Sequence, residues 1–388
     1  MKTLIILFTF LSYFAGCESR SSSNVDLKSD SLLALNTSGT LSKEEYDYYH
    51  QLVSHYFDST LLRGHFNGGI LIAKDGAVIY ENYFGYKNLK TKDTLTAETP
   101  LQIASTSKTF TSAAVLRLVQ AGKLDLNAPI TQFFPQLPYP GVTVKMLLNH
   151  RSGLPEYLYY MEKGGWNRNT FATNADVLNT LIQWHPPKQF TAGTRFHYCN
   201  TNFVLLALIV EKISGTSFPD YMKRYIFEPL KMYNTFIATV NDTSRTVLSF
   251  DGYGTKWKLD FSDGPYGDKN VYSTPEDLLK WDQSLYHNTI LSQQTLDSVY
   301  TPYSNEKPSM HNYGLGWRLL FFPNGKKVVY HNGRWHGFNS AFARLTDERV
   351  TIIILSNKFN HATYTVARKL YNLFGDYDTE QKHEEGLE

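Results

Sequence analysis

The chain has 388 residues, of which 42% are hydrophobic and 15% aromatic, enough apolar material for a sizeable folded core. Its 38 basic and 36 acidic residues are mixed along the sequence and leave a formal net charge of +2, without the basic stripe of a nucleic-acid-binding surface. The composition therefore excludes a disordered chain and argues against a nucleic-acid partner.

The first sixteen residues, MKTLIILFTFLSYFAG, have the features of an export signal. Lys2 gives a basic start, and the apolar run from Leu4 to Leu11 is too short to span a bilayer. The ending Ala15-Gly16-Cys17 resembles a bacterial lipoprotein signal, in which the cysteine becomes the lipidated first residue. We therefore predict a membrane-anchored protein that faces the periplasm or the cell exterior. The alternative is a plain secretory signal, in which Cys17 is incidental and the product is soluble.

The residues after this signal divide into three parts. Residues 17–41 are rich in Ser, Asn, Asp and Thr and lack aromatic residues, which predicts a flexible tether. Residues 42–377 are expected to form one folded domain, and residues 378–388 a charged tail. Because Cys17 and Cys199 are the only cysteines, a disulfide framework is excluded.

Within the folded domain, strands are predicted at both ends and helices between them. In chain order, the predicted elements are a helix at about Lys43–Leu62, a hairpin at Lys74-Asp75-Gly76, a helix beginning at Ser105 or Thr106, an apolar helix over Asn202–Ile213 that ends at Gly215, strands in the segments 313–322, 326–333 and 340–357, and a helix at about Thr363–Phe374. This order predicts an α+β fold, in which an antiparallel sheet built from both chain ends adjoins an inserted helical lobe. A cleft is expected at the seam between sheet and lobe.

The helix that begins near Ser105 directs a lysine toward its own apolar side. At about 100° per residue, Lys108 falls opposite a polar arc that includes Thr106 and Thr109, and on the same stripe as Ser105. Either Ser105 or Thr106 is expected to cap this helix. Residues three apart are neighbours on a helix, and a lysine against an apolar wall has a lowered pKa, so Lys108 can accept the proton of Ser105. A serine at the helix start also places a developing oxyanion near the positive end of the helix dipole.

The S-x-x-K spacing is a weak signal by itself. A second match, Ser304-Asn305-Glu306-Lys307, lies between Pro302 and Pro308 and is predicted to be a surface loop. For Ser105, the alternative is a polar helix cap beside a lysine whose charged end extends to solvent. Further motifs are needed to choose between the two interpretations.

Two further motifs follow in the chain. Tyr198-Cys199-Asn200 lies in the stretch FTAGTRFHYCNTNF directly before the apolar helix, and His331-Asn332-Gly333 ends a predicted strand. With S-x-x-K at Ser105, this order resembles the serine β-lactamase-related family, which contains class C β-lactamases, D-alanyl-D-alanine carboxypeptidases and esterases. Family-like stretches such as LLNHRSGLP, EPLKMYNT and GDKNVYSTPEDLLKW extend the resemblance over most of residues 68–358. The resemblance implies an α/β sandwich, an antiparallel sheet flanked by helices on both faces with a helical lobe beside it.

The resemblance also implies a role for each motif residue. Ser105 would be the nucleophile and Lys108 its proton acceptor. Tyr198 would pass protons to the leaving group and later activate water, which a phenol does only if nearby cations lower its pKa. Asn200 would hydrogen-bond the substrate's amide, and His331 would meet the substrate's carboxylate or the developing charge.

Gly333, the last residue of the third motif, would also belong to the substrate-binding site. The backbone N–H groups of Ser105 and Arg334 would form the oxyanion hole, because Arg334 directly follows the motif. Two departures from the family pattern concern this motif: His331 stands where class C β-lactamases have lysine, and Asn332 stands where Thr or Ser usually contacts the carboxylate. Both argue against an efficient β-lactamase, and neither argues against acyl transfer.

We therefore expect a membrane-tethered serine hydrolase that forms an acyl-enzyme on Ser105. Its small-molecule or peptide substrate would be a D-amino-acid peptide, a small ester or, more slowly, a β-lactam, and no cofactor is implied. One alternative is a penicillin-recognising binding protein or sensor of the same fold with little turnover. The complete set of Ser105, Lys108 and Tyr198 favours the enzyme, because a pure binder need not keep it.

The sequence favours serine chemistry over two other kinds of site. A metal-dependent hydrolase is not indicated, because the sequence contains no H-E-x-x-H motif. His331 and His336 could be two metal ligands, but no further ligand lies at a plausible spacing from them. Cys199 lies between two motif residues, and its side chain is expected to point away from both as a buried structural thiol rather than act as a nucleophile.

Overall fold

The computed structural model describes residues 41–242 and 244–378. The predicted signal, Cys17, the tether up to residue 40 and the tail from residue 379 lie outside the described residues.

The α-helices are α1 (Lys43–Ser59), α2 (Ser107–Gln120), α3 (Ile130–Phe133), α4 (Val144–Leu148), α5 (Tyr157–Lys163), α6 (Asn174–Trp184), α7 (Asn200–Ser214), α8 (Phe218–Met222), α9 (Pro275–Tyr286), α10 (Gln293–Val299) and α11 (Ala362–Lys369). The strands are β1 (Gly68–Lys74), β2 (Ala77–Phe84), β3 (Tyr86–Asn88), β4 (Asp93–Thr94), β5 (Leu101–Gln102), β6 (Phe236–Ile237), β7 (Val271–Ser273), β8 (His311–Tyr313), β9 (Arg318–Phe321), β10 (Lys327–Trp335), β11 (Phe338–Leu345) and β12 (Val350–Ser356).

The main sheet joins the two ends of the domain, which confirms the predicted α+β fold. Its seven strands run in the order β2-β1-β12-β11-β10-β9-β8, and every neighbouring pair is antiparallel. The N-terminal strand β1 pairs along its whole length with the C-terminal strand β12, from Gly68 opposite Ser356 to Lys74 opposite Val350. The predicted β1–β2 hairpin is also confirmed, since Asp75 and Gly76 both have positive φ, as a two-residue hairpin turn requires.

Helices cover both faces of this sheet. All seven residues of β12 are buried, and they alternate between two cores. Ile353 and Leu355 belong to the core shared with α2 and α9, whereas Ile352 and Ile354 belong to the core shared with α1 and α11. A strand buried on both faces reads as a continuous apolar run, and the sequence TIIIL of β12 is such a run.

The helical lobe lies between β5 and β7 in the chain, with α7 at its centre. Most of α7 is buried, and it ends at Gly215, whose φ of 70° lies in the left-handed region that glycine adopts without strain. Within the described ranges, no single helix is long and apolar enough to cross a membrane. α7 and the helical segment Phe218–Phe227 pass that test only together, with a bend of 77° between them.

One predicted strand is wrong in its bounds. The segment 313–322 was expected to be continuous, but β8 ends at Tyr313 and β9 begins at Arg318. The interruption contains Gly316, which has a φ of 80° and lies against α2, where a Cβ atom would come within 2.5 Å of Ser112 Cβ. Close packing of this turn against α2 therefore breaks the strand.

Candidate active site

The nucleophile candidate Ser105 lies in a short 3₁₀ turn, Ala104–Thr106, which leads directly into α2. The residue before it, Ala104, has a φ of 47°. The predicted helix cap is wrong, because no side chain caps α2. Thr106 Oγ1 instead donates to the backbone oxygen of His331 at 3.1 Å and lies 2.8 Å from Ser340 Oγ, so the turn is fastened to β10 and β11.

Lys108 lies one turn further on, with its side chain completely buried. Its Nζ lies 3.1 Å from Ser105 Oγ, 2.8 Å from Asn200 Oδ1 and 2.8 Å from the backbone oxygen of Asp268. The predicted polar arc of α2 faces solvent only toward its C-terminal end, at Gln120, because Thr106 and Thr109 are buried too. The lysine is therefore enclosed in the protein beside the serine, and the interpretation as a solvent-exposed helix residue is wrong.

The environment of Lys108 makes its ammonium easier to deprotonate. Burial lowers the pKa of Lys108 to about 8, although the carboxylates of Asp268 and Glu156 oppose the change. A neutral amine has two N–H donors and one lone pair, which match two acceptors and one hydroxyl donor. It can donate to Asn200 and Asp268 while its lone pair accepts the hydroxyl proton of Ser105.

Tyr198 lies beside this pair, immediately before α7. Lys108 Nζ is 4.9 Å from the centroid of the Tyr198 ring, and the guanidinium carbon of Arg318 is 5.2 Å from the same centroid. The positive charge of Arg318, and that of Lys108 once it has accepted the serine proton, therefore lies next to the phenol, which is the condition under which a tyrosine can exchange protons. The structure thus brings together the three residues that the sequence predicts to be catalytic.

The two residues after Tyr198 have different surroundings. Asn200 is the first residue of α7, and its backbone N–H donates to Glu156 Oε2 at 2.6 Å while its side chain contacts Lys108. Cys199 is 1% exposed, and its thiol is directed at the backbone oxygen of Leu154 at 3.5 Å. Burial raises the pKa of the Cys199 thiol, so the predicted role of a structural thiol is confirmed.

The third motif passes close to the nucleophile turn. β9 pairs with β10 only as far as Tyr330, and β10 then runs beside the turn Ala104–Thr106. A Cβ atom on Gly333 would lie 2.3 Å from the backbone oxygen of Ile103 and 2.8 Å from the backbone nitrogen of Ser105. No side chain fits there, which explains the glycine. Arg334 follows, with an exposed side chain whose guanidinium carbon lies 4.4 Å from the centroid of the Phe359 ring. That the backbone N–H of Arg334 contributes to the oxyanion hole stays a prediction.

His331 is expected to meet the substrate's carboxylate or the developing charge, and an ion pair with the carboxylate would require a charged imidazolium. Its side chain is completely buried, with Nε2 3.1 Å from Tyr313 Oη and Nδ1 2.7 Å from the backbone oxygen of Asn332. Burial lowers the pKa of His331 well below 6.5, and the positive charges of Arg318 and Lys108 lower it further. Both ring nitrogens therefore already have partners within the protein, and a neutral imidazole cannot form an ion pair with a substrate carboxylate.

Several residues of the site were not identified from the sequence. Asp268, whose backbone oxygen contacts Lys108, is buried with its carboxylate 3.2 Å from both Lys269 Nζ and Tyr157 Oη, and Lys269 Nζ also contacts Tyr157 Oη. Glu156 is almost fully buried, and burial raises its pKa to about 7 although the Asn200 N–H opposes the change. The family-like stretch GDKNVYS contains Asp268 and Lys269, and this was the only signal for them.

Metal ligands are a separate question. The residues that the structure describes contain no group of three or more His, Cys, Asp or Glu side chains arranged to hold a metal ion. His336 Nε2 lies 2.9 Å from Asp263 Oδ1, whereas His331 contacts Tyr313, so the two histidines have separate partners.

Comparison with known proteins identifies the family of this chain. The Beta-lactamase family model matches residues 52–375. Penicillin-binding protein 4* of Bacillus subtilis (strain 168) is 33% identical over 318 residues, covering 78% of this chain and 70% of that protein. A penicillin-binding protein from Bacillus halodurans matches the fold with a TM-score of 0.73 at 25% identity, over 83% of this chain and 99% of that one. The fold of D-amino acid amidase from Ochrobactrum anthropi SV3 matches with a TM-score of 0.68 at 23% identity, over 83% of this chain and 98% of the amidase. The chain therefore belongs to the beta-lactamase family of serine hydrolases.

Proposed function

We propose that the protein hydrolyses a small peptide, amide or ester through an acyl-enzyme on Ser105, as a D-amino-acid peptidase or esterase. The observation that carries this proposal is the 3.1 Å contact between Ser105 Oγ and the buried amine of Lys108, next to the Tyr198 ring. A serine needs an adjacent base to become a nucleophile, and a lysine with a pKa near 8 is such a base at neutral to alkaline pH.

Each side chain has a defined task in the proposed reaction. The Lys108 amine accepts the hydroxyl proton of Ser105 as Oγ bonds to the substrate's carbonyl carbon. The Tyr198 hydroxyl gives a proton to the leaving group as the bond between that group and the carbonyl carbon breaks. A water molecule then enters the vacated place and gives a proton to the Tyr198 phenolate as its oxygen bonds to the acyl carbon. The ammonium of Lys108 returns its proton to Ser105 Oγ as the bond between Oγ and the acyl carbon breaks, and the acid is released.

The acyl donor is inferred from relatives as well as from geometry. This chain is similar to a D-amino acid amidase and to penicillin-binding proteins. An amide and a penicillin both contain a carbonyl group that a serine can attack. We assign recognition of a substrate carboxylate to Arg318 rather than to His331. Arg318 is only partly buried, it lies against the Tyr198 ring, and its positive charge lowers the pKa of Lys108 and His331.

The proposal is tested by intact-mass analysis after parallel incubation with a penicillin, a fluorophosphonate and a nitrophenyl ester. One adduct is expected, and peptide mapping should place it on the segment 101–108. Ser105→Ala should abolish it, whereas Ser304→Ala, in the irregular loop of the second S-x-x-K match, should leave it unchanged. Labelling that survives Ser105→Ala would refute the proposal. A stable penicillin adduct without turnover of any ester would instead favour the sensor.

The assignment of Arg318 gives a prediction about selectivity. We expect Arg318→Gln to lower kcat/KM for a carboxylated substrate, relative to its methyl ester, by roughly 10- to 150-fold, the value of a charge-assisted hydrogen bond of about 1.5–3 kcal/mol. Because His331 is neutral, the wild-type ratio of acid to ester should stay constant between about pH 6 and about pH 9. The titration of Lys108 affects both substrates equally and cancels in this ratio.

Steady-state kinetics of the matched acid and methyl ester measure this ratio. Arg349→Gln is the control, since Arg349 is exposed and its Nε lies 2.8 Å from Asp75 Oδ1, on the β11–β12 turn. A ratio that falls as pH rises through about 6.5 would show that a charged His331 binds the carboxylate after all.

We further propose that Cys17 carries a lipid anchor, which rests on the Ala15-Gly16-Cys17 sequence alone. The wild type is expected to incorporate labelled palmitate and to sediment with membranes, because acyl chains on the first mature residue hold a protein at a bilayer surface. Cys17→Ser should lose the label. Equal incorporation by both forms would leave only a secretory signal.

A further inference from the structure

His150, in the stretch LLNHRSGLP, contacts the chain on both sides of Tyr198. Its backbone oxygen accepts a hydrogen bond from the N–H of His197 at 2.9 Å, and its ring nitrogen Nδ1 accepts one from the N–H of Cys199 at 3.1 Å. The residues immediately before and after Tyr198 are therefore both bonded to this one histidine.

The His150 ring also packs directly on the Tyr198 ring. The two centroids are 4.3 Å apart, with 35° between the ring planes. His150 is completely buried, between Phe203 at 5.1 Å and Tyr313 at 4.8 Å, so the imidazole has little room to move. Its backbone has a φ of 56°, which turns the chain so that one residue presents both its carbonyl oxygen and its ring to the Tyr198 segment.

The protonation state of the imidazole is fixed by these contacts. Nδ1 accepts from Cys199 and lies 3.3 Å from Asn202 Nδ2, so it carries no proton, and the neutral ring has its proton on Nε2. Burial lowers the pKa of His150 well below its ordinary value, and the positive charge of Lys108 acts in the same direction. The acceptor at Nδ1 is therefore present throughout the working pH range.

We propose that His150 is the positioning residue for Tyr198: it fixes the backbone on both sides of the tyrosine and one face of its ring, so that the phenol hydroxyl meets the leaving group. This inference rests on the proposed function, in which Tyr198 protonates the leaving group. A displacement of about 1 Å in a catalytic group can cost about 100-fold in rate, so the effect of losing this support should be measurable.

The leaving group separates positioning from general stability. An alkoxide must be protonated as it departs, whereas nitrophenolate leaves as a stable anion without help. We therefore compare kcat/KM for an ethyl ester and a 4-nitrophenyl ester of the same acyl group. His150→Leu should lose about 10- to 100-fold on the ethyl ester and less than about threefold on the nitrophenyl ester, because only the first reaction needs the tyrosine's proton.

Two further variants sharpen the comparison. His150→Asn removes the ring but keeps an acceptor near the position of Nδ1 and tolerates a left-handed backbone, so it should recover part of the ethyl-ester activity. His185→Leu is the control for backbone strain, since His185 is exposed, has a φ of 47° and ends α6; both ester activities should be unchanged. If His150→Leu does not fold, His150→Asn alone should still lose more on the ethyl ester than on the nitrophenyl ester.

Tyr198→Phe provides the reference pattern. If it loses activity selectively on the ethyl ester while the His150 variants lose both activities equally, His150 is only a core residue and the inference is wrong. If Tyr198→Phe itself shows no such selectivity, the proposed proton transfer by Tyr198 fails, and the role of His150 fails with it. The two failures are therefore distinguishable.

Discussion

Lys108→Arg is expected to lower the rate of Ser105 acylation by about 100- to 10,000-fold, the usual contribution of a general base. Arginine keeps the positive charge but does not lose its proton in proteins, so it cannot accept one from the serine. Burial holds the pKa of Lys108 at about 8. Because only the neutral amine is a base, the wild-type acylation rate should increase as pH rises through about 8 and then level off.

The measurement is the rate of fluorophosphonate labelling or of the nitrophenol burst as a function of pH. Lys307→Arg, in the second S-x-x-K match, is the control and should behave as the wild type. If Lys108→Arg retained full activity, or if the wild-type rate did not depend on pH between about 6 and about 9, another group would have to be the base.

Arg344→Met is expected to lower the free energy of unfolding by about 3–5 kcal/mol, because it leaves a buried carboxylate without its cation. Arg344 Nε lies 2.5 Å from Asp282 Oδ1, and the two side chains are 2% and 0% exposed. The other carboxylate oxygen accepts hydrogen bonds from Thr351 and Gln283, so Asp282 is held in place when its partner is removed. This ion pair connects the central strand β11 to α9.

Denaturant unfolding of the folded protein measures this loss. The double variant Arg344→Met with Asp282→Leu should be more stable than the single variant, since it no longer buries an unpaired charge. Lys43→Ala is the surface control: Lys43 and Asp47 form an ion pair with side chains 84% and 56% exposed, and its removal should not change stability detectably. A single Arg344→Met variant as stable as the wild type would contradict the prediction.

The local part of the site was predictable from the sequence. Ser105 and Lys108 are three residues apart on one helical face, so helix periodicity alone places the amine beside the hydroxyl. Tyr198 and Asn200 were identified because their motif directly precedes the apolar helix α7. The strand β12 was equally predictable, because a run of β-branched residues is typical of a strand. All residues of β12 are buried in the structure.

The remaining part depends on contacts between distant residues. Asp268 is 160 residues from Lys108, and no spacing rule indicates that its backbone oxygen would contact the amine. The surroundings of His331 were not predictable for the same reason: its pKa is lowered mainly by burial and then by Arg318, and neither is visible in the motif. Gly333 matched a motif, but its steric necessity appears only when β10 is placed against the turn before α2.

The pairing of β1 with β12 also determines when this protein can fold. During synthesis, β1 leaves the ribosome early, but its neighbour β12 is among the last elements to emerge. The nucleophile turn likewise has no Gly333 beside it until β10 has been made. Closing such long loops is slow, and the apolar faces of β1 and α2 remain uncovered in the meantime. We therefore expect a truncated chain that lacks β10 to β12 to be inactive and to expose apolar surface that favours aggregation.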